Sequence, residues 1–117
     1  MGASYRIERA AERILQELSR LLREEMRDPR LQDSVLTLHE VRLSRDLGYA
    51  DVFISALDDE REKEILAALN NARSFLRSRL ASTLDFRKAP ELRFHLDSSI
   101  EEGYRIERLI QEANKTE

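Results

Sequence analysis

Apolar residues recur three and four positions apart from the start of the chain, at Ile7, Ala11, Ile14, Leu18, Leu21 and Leu22. At about 100° per residue these side chains share one face, so the spacing predicts an amphipathic helix over about 3–26. Arg6, Arg9, Arg13, Arg20, Arg23 and Arg27 recur at the same period on the opposite side. Pro29 in RDPRL ends the helix, because proline lacks the N–H and disfavours helical geometry at the residue before it, Asp28. Two strand-like runs follow, VLTLHEVRLS (35–44) and YADVFISAL (49–57), joined by RDLG with the turn-formers Asp46 and Gly48. That pattern predicts a hairpin. In the second run Ala50, Val52, Ile54 and Ala56 alternate with Asp51, Phe53, Ser55 and Leu57, giving one apolar face and one mixed face. In the first run the alternation slips phase between Leu38 and Val41, as a bulge would cause.

DDEREKE (58–64) suits the start of a helix, where negative charge meets the positive end of the macrodipole. The stripe Ile65, Leu69, Ala72, Leu76 and Leu80 carries helix onward, as one long element or two joined ones, until it stops between Ser82 and Ala89. Phe75, beside that stripe, is expected in the core. Pro90 precedes a third strand in which Leu92, Phe94 and Leu96 alternate with Arg93, His95 and Asp97. A stripe at Ile106, Leu109, Ile110 and Ala113 predicts a short, marginal final helix, with Gly103 weakening its first turn. Each helix buries one stripe and each strand one face, so the predicted fold is an α+β two-layer sandwich. Its helices cover one side of a three-stranded sheet.

A length of 117 residues suits one domain. We divide it into a core over 1–97 and a helical extension of the same domain over 98–117. The chain lacks cysteine, which excludes disulfides and thiolate metal sites. No apolar run reaches the roughly 20 residues needed to span a bilayer, and no leader-like segment opens the chain. These features predict a soluble cytoplasmic protein without a membrane partner. The net charge of −3 disfavours nucleic acid unless charge is segregated. It is segregated: residues 71–93 hold six basic side chains (Arg73, Arg77, Arg79, Arg87, Lys88, Arg93) against two acids (Asp85, Glu91), a local excess of four. Such a surface attracts phosphates by counterion release.

Catalytic chemistry is not visible. There is no phosphate-cradling glycine motif, no nucleophile elbow, and His39 and His95 stand alone in strand-like runs without ligand spacing. We therefore expect no metal, cofactor, small-molecule substrate or enzymatic activity. The few aromatic residues do not suggest a base-stacking sheet of the RNA-recognition type.

RDPRL, then VRLSRDLGYADVFISAL, then LNNARSFLRSRLASTLDFRKAPELRFHLDSSIEEGYRIERLI resemble the bacterial ribosome-binding factor A family along nearly the whole chain. The resemblance implies a KH-like fold of type II, with the order α-β-β-α-α-β. It also implies a monomer that binds the small (30S) ribosomal subunit and its 16S rRNA, assists late subunit maturation including 5′-end processing, and supports growth in the cold. The family's Ala-x-Gly kink between two helices maps onto Ala72, Arg73 and Ser74, where serine replaces the glycine. By the same resemblance Arg73, Ser74 and Arg77 face RNA beside that kink, joined by Arg6, Arg9 and Arg13 of the first helix and by Arg87 and Lys88 before the third strand. Arg79 lies nearer the apolar stripe and is expected to pair within the fold. The competing reading is a protein-interaction module that docks a partner through the first helix or a sheet edge.

Overall fold

A computed structural model describes residues 2–26, 28–32 and 36–96. The order is α1 (Gly2–Glu24), β1 (Leu36–Leu43), β2 (Tyr49–Ala56), α2 (Glu62–Thr83) and β3 (Glu91–Leu96), with single 3₁₀ turns at Pro29–Leu31 and Asp59–Arg61. The sheet order is β1-β2-β3, with β1 antiparallel and β3 parallel to β2. This is the α+β, KH-like arrangement implied by the resemblance. The predicted final helix lies outside the described residues.

Helix α1 ends as its sequence dictates. The Asp28 carboxylate accepts from the Arg30 backbone N–H at 3.0 Å, capping the turn that opens with Pro29. The Arg30 guanidinium beside Asp28 holds that carboxyl below the usual carboxylate range. In the β1–β2 ladder the register shifts between Leu38 and Glu40, the bulge foreseen from the phase slip. The turn between these strands is held by Gly48 N–H donating to Asp46 Oδ1 at 2.9 Å and Tyr49 N–H donating to Ser44 Oγ at 2.9 Å.

The core forms where the apolar faces meet. Ile14, Leu18 and Leu21 of α1 and Ile65, Leu69, Leu76 and Leu80 of α2 are fully buried with Val52, Ile54 and Leu92 of the sheet. Fully burying each such side chain contributes about 1.5–3 kcal/mol. The other sheet face remains open, carrying Thr37, His39, Arg42, Tyr49, Arg93 and His95.

Two expectations change. The α-α pair is a single helix: α2 runs unbroken from Glu62 to Thr83, and Ala72, Arg73 and Ser74 lie inside it with no break dividing it. Serine costs a straight helix about half a kcal/mol less than glycine, which removes the incentive to leave helical geometry there. Phe75 is not core but 43% exposed, because one step from Leu76 turns it about 100° away from the buried stripe.

Candidate nucleic-acid interface

The arginines divide into committed and uncommitted groups. Arg20 donates to Glu17 at 2.8 Å and to Glu24 at 3.1 Å, with Glu25 also in reach at 3.0 Å. It therefore serves α1 itself. Arg79 donates to Glu25 at 2.6 Å, tying α2 to the end of α1, the internal pairing expected from its position near the apolar stripe. Arg93 grips Asp51 through Nε at 2.8 Å and Nη2 at 3.0 Å. The Arg93 guanidinium, assisted by a hydrogen bond from His95, holds the Asp51 carboxyl below the ordinary carboxylate range. Thus two of the six cations of residues 71–93, Arg79 and Arg93, are neutralised locally.

The remaining four are arranged differently. Arg77, half-buried on α2, donates its Nε to the Ala89 carbonyl oxygen at 3.0 Å, which pins the α2–β3 loop and leaves the rest of its guanidinium for other acceptors. Arg87 and Lys88 are exposed in that loop, and Arg73 is exposed one turn before Arg77 on the same face of α2. Among the described residues Arg73, Arg77, Arg87 and Lys88 have no carboxylate partner.

The fold brings three of these four around one open cleft of about 540 Å³, between the β1–β2 turn and the α2–β3 loop. Its lining includes Leu47, Tyr49, Arg77, Phe86, Arg87 and Lys88. Arg73 and Ser74 are outside the cleft, with Arg73 leading along the helix toward it. The turn side of the cleft was not foreseen, since residues 46–49 approach 86–91 only through the parallel β2–β3 pairing that places Tyr49 opposite Glu91.

Arg6, Arg9 and Arg13 are exposed on α1. Arg9 lies 5.6 Å from the centre of the Tyr5 ring, a cation–π contact, while Arg6 and Arg13 have no ion pair among the described residues. These three line no cleft with Arg77, Arg87 and Lys88. A second, larger groove of about 930 Å³ runs between α1 and β1, lined by Ile7, Ala11, Leu15, Val41 and Leu43 with Glu8, Glu12, Glu40 and Arg45 among its charged residues. Its mixed charge does not favour phosphate.

The open sheet face carries more aromatic structure than its sequence suggested. Phe53 and His95 stack with ring centres 5.2 Å apart, Arg42 lies 5.0 Å from the Phe53 ring, and Arg93 lies 4.2 Å from the Tyr49 ring. The Phe53 ring is thus engaged by two side chains of the chain itself, whereas Tyr49 has Arg93 over its ring and remains 40% exposed. His39 meets Ser55 at 2.7 Å, so both histidines are sheet-face residues. Among the described residues no three His, Cys, Asp or Glu side chains gather as a metal site would require.

Comparison with known proteins supplies the context. The family model described as ribosome-binding factor A matches residues 6–110. The ribosome-binding factor A of Chromohalobacter salexigens is 46% identical over 92% of this chain and 83% of its own. The solution structure of a ribosome binding factor A candidate from Thermotoga maritima is 39% identical, with a TM-score of 0.72 over 84% of this chain and 92% of that one. A homology model of Thermus thermophilus ribosome binding factor A, fitted into a cryo-EM map of a 30S complex, is 33% identical, with a TM-score of 0.53 over 71% of this chain and 90% of that one.

Proposed function

The chain belongs to the ribosome-binding factor A family, and we propose that it binds the small ribosomal subunit through 16S rRNA as a cytoplasmic, non-enzymatic assembly factor. In this reading it is a monomer when free, assists late maturation including processing of the 16S 5′ end, and supports growth in the cold. The observation that carries the reading is the run of unneutralised cations from Arg73 through Arg77 to Arg87 and Lys88, on a chain otherwise net negative. Phosphate is the ligand such a run attracts, and guanidinium groups bind it with two parallel hydrogen bonds. Arg6, Arg9 and Arg13 act as an accessory phosphate contact from α1, and Ser74 borders the run beside Arg73. The seating of a family relative on the 30S particle agrees with this assignment.

The test is binding of the purified protein to isolated small and large subunits at several salt concentrations, beside the Arg73→Ala and Lys88→Ala variants. Selective small-subunit binding, weakened in both variants and steeply salt-dependent, is the expected outcome. Small-subunit binding that is indifferent to salt and to both substitutions would move the contact to an apolar surface such as the α1–β1 groove.

A further inference from the structure

We propose that the cleft between the β1–β2 turn and the α2–β3 loop seats one unpaired nucleotide of a single-stranded RNA segment. Its phosphate would lie among Arg77, Arg87 and Lys88, and its base or sugar against Tyr49 and Leu47. The choice of RNA as ligand rests on the function proposed above, whereas the seat rests on the cleft's own side chains.

Three features converge there. The first is charge: three cations line the cleft against two acids, Asp46 and Glu91, an excess of one, and the Asp46 carboxylate is engaged within its own turn by hydrogen bonds from Ser44 Oγ at 2.7 Å and Gly48 N–H at 2.9 Å. The second is exposed apolar surface. Leu47 is 43% and Tyr49 40% exposed, both on the turn side of the cleft, facing the loop that carries the cations. The third is rigidity. Leu47 sits at φ 60°, a left-handed conformation that a leucine rarely adopts, and it is held there by its N–H to the Ser44 carbonyl at 2.9 Å. The opposite wall is fixed by Arg77 Nε on the Ala89 carbonyl oxygen. Two rigid walls, one apolar and aromatic and one cationic, match the two halves of a nucleotide. A duplex offers phosphates on a convex surface with its bases stacked inside, so it leaves the apolar wall uncovered. The volume of about 540 Å³ falls within the range of roughly 300–1,000 Å³ usual for small-ligand sites.

The experiment titrates the isotopically labelled full chain with a uridine pentamer, and separately with an RNA duplex and with uridine monophosphate, following backbone amides. The pentamer should shift Leu47, Gly48, Tyr49 and Lys88 together. The monophosphate should shift the same amides more weakly, and the duplex should leave Leu47 and Tyr49 unmoved. Tyr49→Leu should weaken the pentamer roughly tenfold through lost stacking. The double variant Arg87→Gln with Lys88→Gln should weaken pentamer and monophosphate alike. Pentamer shifts lying elsewhere, or a duplex producing the same shifts as the pentamer, would overturn the proposal. So would an affinity unchanged in both variants. Small-subunit binding by the same proteins separates the two ideas. Intact subunit binding without cleft shifts sinks the nucleotide seat alone, and cleft shifts in a protein that ignores small subunits sink the assembly-factor reading alone.

Discussion

Arg77 has two tasks that can be measured apart. Its Nε holds the Ala89 carbonyl while the rest of its guanidinium faces the cleft, so Arg77→Ala should remove a structural bond as well as a charge. A hydrogen bond from a charged donor contributes about 1.5–3 kcal/mol net, and urea unfolding should show a loss of that size as a lower midpoint with an unchanged slope. Arg87→Ala and Lys88→Ala, exposed and without carboxylate partners, should leave stability within about 0.5 kcal/mol. Arg77→Lys should not restore the loss, because lysine has no counterpart of Nε. Asp51 offers a second test. Its carboxyl is held below the ordinary value by Arg93 first and His95 next. A carboxyl lowered in the folded state contributes stability that is fully present above the unfolded value of about 4 and lost as pH falls through the folded one. The stability gap between the parent and Asp51→Asn should therefore be flat from about pH 5 upward and close progressively below about pH 4. A gap constant down to pH 2 would show that the Arg93 grip does not matter to folding.

At the scale of elements, the long helix is where sequence and structure part company. Periodicity gave its buried stripe residue by residue, because Ile65, Leu69, Ala72, Leu76 and Leu80 answer only to local geometry. The same holds for the β2 alternation and the β1 bulge, both written in the phase of apolar positions. Continuity of the helix depends instead on a small balance at one position. Ser74 is exposed, so its replacement by glycine changes backbone freedom and little else. Ser74→Gly should lower stability by about 0.5 kcal/mol, seen as an earlier thermal midpoint, and should speed amide exchange in the turn around Ala72 to Arg77. Unaltered exchange there would mean that packing of Ala72, Leu76 and Leu80, rather than local propensity, keeps α2 whole.

Across the whole molecule, charge is laid out along α2. The acids Asp59, Glu60, Glu62 and Glu64 gather at its start, while Arg73 and Arg77 stand in its second half with Arg87 and Lys88 just beyond. A helix of 22 residues is about 33 Å long, so the two ends are well separated compared with a Debye length of about 8 Å at physiological salt. The basic composition of 71–93 was legible in the sequence, as was the internal pairing of Arg79, but the partner of Arg79 and the commitment of Arg93 to Asp51 were not. The Arg79–Glu25 and Arg93–Asp51 pairs join positions 54 and 42 apart, and no local pattern reports such contacts. The cleft was hidden for the same reason, since its turn wall reaches its loop wall only through parallel strand pairing. Separation of the two ends makes α2 electrically two-sided, with its basic end screened from its acidic one. Plots of log affinity for small subunits against log salt should then lose about one unit of slope in Arg73→Ala, as one phosphate contact is removed. Asp59→Asn, at the far end, should leave the slope unchanged although it alters net charge by the same amount. Equal slope changes in the two variants would mean that net charge, not the placement of cations beside the cleft, governs the approach to RNA.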